Sequence, residues 1–137
     1  MEEVKIPYYI YNNIIFSKKI SCNLSKHYKI ITYVYDIYNK EGISEKEVKH
    51  RTNNLPAIII YRNNIISELQ YFYHGKKHRE YGAAIIKLNS KHEITEELWY
   101  KDDKKLKETE IQEIKLLVDR RKKMLKLISK MKSRNIS

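Results

Sequence analysis

The 137-residue chain predicts a mainly β protein of stacked antiparallel hairpins followed by one long C-terminal helix, a β+α class. Three observations carry that expectation. A phrase recurs: His50-Arg51-Thr52-Asn53-Asn54-Leu55-Pro56-Ala57-Ile58-Ile59 returns as His78-Arg79-Glu80-Tyr81-Gly82-Ala83-Ala84-Ile85-Ile86, the His-Arg pairs 28 positions apart and the Ala-Ile-Ile runs 27 apart, and a period of that length marks supersecondary units that stack because none can bury its own apolar face. Runs of Ile, Val and Tyr, all strand formers, alternate with Asn-rich or Gly-containing breaks. After Lys107 the apolar spacing lengthens to that of a helix.

The elements follow in order. Tyr8-Tyr9-Ile10-Tyr11-Asn12-Asn13-Ile14-Ile15-Phe16 reads as a hairpin, its Asn pair tolerating the positive φ of a tight turn. The β-branched run 28–38 is a strand. Asn39-Lys40-Glu41-Gly42 breaks it, and 39–54 is expected as a long connection; Ser44-Glu45-Lys46-Glu47 has capping-box spacing but no apolar stripe, so it predicts at most one helical turn. Ile58-Ile59-Ile60-Tyr61-Arg62-Asn63-Asn64-Ile65-Ile66 repeats the hairpin pattern. Strands are expected at 69–73, 83–88 and 94–100, with turns at 74–77 and 89–92.

Beyond Lys107, Ile111, Ile114, Leu117, Val118, Met124, Leu125, Ile128 and Met131 recur at amphipathic spacing. Glu108 and Glu110 suit the positive N-terminal end of the helix dipole; Lys126, Lys130, Lys132 and Arg134 suit its other end. The division is therefore 1–107, a repeat-built sheet, and 108–137, a basic amphipathic helix belonging to the same compact unit.

Charge bounds the partners. Lys and Arg number 28 against 17 Asp and Glu, a net charge of +11, and residues 111–137 hold nine cations against two acids. That surplus favours an anionic partner. A single cysteine, Cys22, excludes an internal disulfide and a Cys-based zinc site. With neither a secretory signal pattern nor a transmembrane run, the expectation is a soluble intracellular protein with no membrane span. The abundance of Ile, Asn, Lys and Tyr suggests an AT-rich genome, such as those of many large DNA viruses.

At the repeated phrase the chain resembles the variant MORN repeats that are abundant in large DNA viruses of amoebae, whose unit runs approximately Trp-Tyr-x-Asn-Gly-Lys-x-His-Arg-x-x-Gly-Pro-Ala-apolar-apolar. Tyr71-Phe72-Tyr73-His74-Gly75-Lys76-Lys77-His78-Arg79-Glu80-Tyr81-Gly82-Ala83-Ala84-Ile85-Ile86 follows it, with Ala83 in place of proline. Trp99-Tyr100-Lys101-Asp102 opens a degenerate copy with Asp103 where glycine is expected and Leu106-Lys107 in place of His-Arg. His50, Arg51 and Pro56 belong to a copy stretched by an insertion. The resemblance implies a scaffolding or interaction role, with His50, Arg51, Pro56, Tyr71, Phe72, Gly75, His78, Arg79, Gly82, Trp99 and Tyr100 as structural residues. It implies no catalytic residues, metal or cofactor. A viral setting would place the protein in host cytoplasm, virion or nucleus.

His74 and His78 sit on an expected turn rather than a helix face, which disfavours a shared metal. Asp102, Asp103 and Lys104 match part of a metal-dependent nuclease element, but a charged turn is the simpler reading. Arg120, Arg121, Lys122, Lys123, Lys126, Lys130, Lys132 and Arg134 suit phosphate contacts, and tyrosines interleaved with cations suit base stacking. Ile114, Leu117, Val118, Leu125 and Ile128 form the expected cap or dimer contact. The expectation is a non-enzymatic repeat scaffold that binds a protein partner or dimerises; the alternative is a virion protein binding nucleic acid without sequence preference.

Overall fold

The computed structural model describes residues 18–134, together with the backbone strands β1 (Ile6–Pro7), β2 (Ile10–Tyr11) and β3 (Ile14–Ile15). β2 and β3 pair antiparallel; the Asn12-Asn13 turn proposed between them lies outside the described residues. The protein is mainly antiparallel sheet with one C-terminal helix. The chain divides into two compact units, Met1–Lys105 and Leu106–Ser137.

In the first unit β5 (Tyr28–Tyr38) is the organising strand, because its Ile, Tyr, Val and Thr residues favour extended backbone and it is long enough to pair with four others. Along one edge lie β4 (Lys18–Ser25) and β1; along the other lie β7 (Ile58–Arg62), beside 28–32, and β6 (Ser44–Lys49), beside 34–38. The sheet continues through β8 (Ile65–Gln70), β11 (Ile85–Leu88) and β12 (Ile94–Leu98), all antiparallel. Short hairpins are completed by β9 (Phe72–Tyr73) with β10 (Lys76–Lys77), and by β13 (Tyr100–Lys101) with β14 (Lys104–Lys105).

Two expectations are corrected. Residues 44–49 form a strand rather than part of a connection: alternation leaves Val48 as the buried member, and the Ser44 hydroxyl donates to Asp36 across the pair at 2.8 Å instead of capping a helix. The strand expected at 69–73 is divided at Tyr71, as the one at 94–100 is at Trp99. β4, which the sequence pattern did not announce, is almost wholly exposed and so lacks an apolar signature.

The turns obey local chemistry. Asn63-Asn64, His74-Gly75 and Asp102-Asp103 each join paired strands with positive φ at both residues, the geometry of a type I′ hairpin. Asn39 and Asn89, fifty residues apart, build one loop twice: each Oδ1 accepts backbone N–H groups two and four residues on, at 2.9–3.0 Å. The core cluster is Ala57, Ile58 and Phe72, with Ile30 and Ile60 packed against it.

In the second unit α1 (Glu108–Arg134) starts with a backward cap, Glu110 Oε1 accepting the Lys107 N–H at 3.2 Å. Gln112 to Glu108 and Lys123 to Asp119 add pairs four residues apart, at 2.7 and 3.1 Å. No helix among the described residues is long and apolar enough to cross a membrane.

Candidate functional site

The two copies of the phrase build the same corner. Tyr33 and Tyr71 donate their N–H to Ala57 and Ala84, both at 2.7 Å, and accept from His50 and His78 at 3.0 and 3.1 Å. One aromatic residue thus passes its strand from one partner to the next. His50 Nδ1 accepts the His74 N–H at 2.9 Å, and His78 Nδ1 that of Asp102 at 3.1 Å, so each imidazole closes the turn of the neighbouring hairpin. Acceptance at Nδ1 places the ring proton of a neutral imidazole on Nε2.

The arginines are equally repetitive. Arg51 lies over the Tyr33 ring at 3.7 Å and donates to the Pro56 carbonyl at 3.2 Å; Arg79 lies over Tyr71 at 3.9 Å and donates to the Ala83 carbonyl at 3.2 Å. A planar guanidinium does both at once, stacking on its face and donating at its edge. The extra residue of the first copy is absorbed at Asn53 and Asn54, both at positive φ. In the second copy Gly82 lies under the guanidinium, where an added Cβ would meet Arg79 Cζ at 2.8 Å. Lys49 over Phe72 and Lys77 over Tyr100, at 5.2 and 5.1 Å, complete the correspondence.

Burial sets the electrostatics. His50 is 1% exposed, and loss of hydration, reinforced by nearby His74, lowers its pKa to about 4. Burial also lowers the His74 pKa and raises that of Tyr35, whose hydroxyl is 2.9 Å from His74 Nδ1. Asp36 is 2% exposed; burial acts to raise its pKa, but the Lys18 ammonium at 2.6 Å and the Ser44 hydroxyl hold it below the usual value. Beside this cluster opens a groove of about 440 Å³ lined by Tyr35, Phe72, His74 and the lysines Lys46, Lys49 and Lys76, with Glu47 on the same wall.

The remaining site residues divide. His74 and His78 use Nδ1 for Tyr35 and for the Asp102 N–H, and among the described residues no group of three or more His, Cys, Asp or Glu could hold a metal. Asp102 and Asp103 are turn residues, and Asp103 Oδ1 accepts the Lys77 N–H at 2.8 Å. Trp99 is buried, and Tyr100 pairs with Lys105. On α1, Arg120, Arg121, Lys122, Lys123, Lys126, Lys130, Lys132 and Arg134 are all exposed. Of the proposed contact set, Ile114 is buried and Val118 half-buried within the chain, whereas Leu117, Leu125 and Ile128 are exposed, Leu125 to 57%.

Sequence reading missed two concavities that register creates. Lys26, His27, Tyr28, Lys29, Tyr61 and Asn64, with Asn23 and Ser25, line a groove of about 510 Å³ where the β4–β5 and β7–β8 hairpins end side by side. An apolar groove of about 380 Å³ adjoins it, sharing Tyr61 and Asn64 and floored by Ile66, Leu69 and Leu88. The only prior signal was tyrosine interleaved with lysine. Compared with family models, with curated proteins and with solved structures, the chain finds no match in any of the three.

Proposed function

We propose that the protein works without catalysis, as a binding scaffold of the MORN-like kind whose repeats hold a sheet together and whose helix engages a second copy of the chain. The observation behind this reading is the helix surface: Leu117, Met124, Ile128 and Met131, spaced seven, four and three residues apart, share one face and are 40–59% exposed, with Leu125 exposed beside Ile128, an apolar stripe that water disfavours. Antiparallel pairing would set Glu108, Glu110 and Glu113 of one helix against the cations near Lys130 of the other, opposing charges where a parallel pair would repel. The matching bonds of the two His-Arg corners support a structural use of those residues. Sedimentation equilibrium of the full chain tests it. A dimer that becomes a monomer on Leu117→Asp with Leu125→Asp supports the reading; a wild-type monomer overturns it.

A second reading, sequence-independent nucleic-acid binding, is favoured by the eight exposed cations between Arg120 and Arg134. Cations of this kind contact phosphates and release counterions, so affinity should fall steeply with salt. Replacing Arg120, Arg121, Lys122 and Lys123 by Gln should then weaken duplex binding. Unchanged binding would overturn this second reading.

A further inference from the structure

We propose that the end of the sheet where β4–β5 meets β7–β8 is a site for single-stranded nucleic acid. It shares the ligand class of the second reading above, but none of its residues. The warrant is the adjacency of two grooves with complementary chemistry. The larger is lined by Lys26 and Lys29 together with Tyr61, and the smaller is apolar; they meet at Tyr61 and Asn64. Among the described residues, no carboxylate lines either groove.

Strand register explains the placement. Asn23, Lys29, Tyr61 and Ile66 are successive partners across β4, β5, β7 and β8, so they form one row on one face. Lys29 Nζ lies 5.7 Å from the centre of the Tyr61 ring, and on the opposite face Arg62 lies 5.4 Å from that of Tyr28. The Asn63 N–H donates to the His27 carbonyl at 2.8 Å and ties the two hairpin ends together, so the platform is built before a ligand arrives. Lysine beside an aromatic ring, running into an apolar trough, fits a strand whose phosphates meet the ammonium groups while an unstacked base lies on Tyr61 and its neighbour covers the trough. A duplex keeps its bases stacked and offers nothing to the apolar half. Exposed Lys26 and His27 stand at the mouth of the groove, where a backbone phosphate would pass.

The test is fluorescence anisotropy of the full chain with a labelled oligothymidylate, and with the same strand paired to oligodeoxyadenylate. The single strand should bind more tightly than the duplex. Tyr61→Leu should weaken single-strand binding about tenfold through lost stacking. Lys26→Gln with Lys29→Gln, at the rim and less exposed to folding effects, should lower the slope of log affinity against log salt by about 1.4. The Gln variant of the four helix cations should keep the preference for single strands. Wild-type behaviour of both groove variants, or equal binding of duplex and single strand, overturns the proposal. Loss confined to the helix variant overturns it while leaving the helix reading standing; absence of binding at low salt overturns both.

Discussion

The backbone N–H of His74 donates to His50 Nδ1 at 2.9 Å, and the two imidazole rings lie 4.3 Å apart inside the sheet unit. Protonating His50 would remove that acceptor and place a charge where no water reaches. Its pKa is about 4 in the fold against an ordinary 6.5, so the unfolded chain takes up the proton first as pH falls. Stability contributed by neutral His50 is complete above pH 6.5 and is lost between 6.5 and 4, by roughly 3 kcal/mol. The lowered His74 pKa acts in the same direction. Asp36 acts later: its lowered carboxyl pKa gives stability present above 3.8 and lost below it. Urea midpoints measured from pH 7 to 4 should fall; a flat profile would contradict a neutral, buried His50.

The two equivalent histidines should differ in cost. His50→Ala removes the acceptor of the His74 N–H and leaves a cavity where a ring only 1% exposed had stood, for a loss of about 3 kcal/mol. His78→Ala frees the Asp102 N–H, which is exposed and can turn to water, for about 1 kcal/mol. Denaturant unfolding of the two variants compares them directly, and equal losses would refute the burial argument.

Gly82 and Arg79 should be coupled. Gly82→Ala drives a methyl into the guanidinium that stacks on Tyr71, so it should cost about 1–2 kcal/mol in the wild-type chain. On an Arg79→Ala background the obstruction is gone, and the same substitution should be nearly neutral. A double-mutant cycle reads the coupling, which should exceed about 1 kcal/mol. Additive effects would mean that the glycine serves something other than the arginine.

The turn residues make a further contrast. Gly75 has φ +83° and Val48 Cγ1 3.3 Å from where a Cβ would stand, so Gly75→Ala should destabilise by about 1–2 kcal/mol. Asp103, at the matching position with φ +66°, bears the same backbone cost but accepts the Lys77 N–H. Asp103→Gly therefore relieves one effect and removes the other, and its thermal midpoint should stay close to wild type.

Much of the fold was legible. The run 28–38 is a strand with those bounds, the Asn63-Asn64 turn lies where the dipeptide predicts it, and the helix begins at Glu108 just after the apolar period changes. What escaped reading did so for physical reasons. β4 shows no alternation because almost none of it is buried, and β6 is so charged that only Val48 betrays a buried face. The Arg51–Tyr33 stack joins residues from different elements, so no window along the chain contains it. The grooves around Tyr61 depend on which strand lies beside β7, and local sequence does not specify that.

From the sequence alone came the class, the repeat and the helix, because these rest on interactions between near neighbours: side-chain alternation, turn dihedrals and the dipole preferences of a helix end. Tertiary structure alone decided what the repeated residues do. It made His50, in sequence only one half of a repeated pair, the acceptor that closes a neighbouring turn, and brought Lys29 beside Tyr61. Such partners are chosen by strand pairing across 24 or more residues, where the hydrogen bonds of the whole sheet, rather than the preferences of any one segment, set the register.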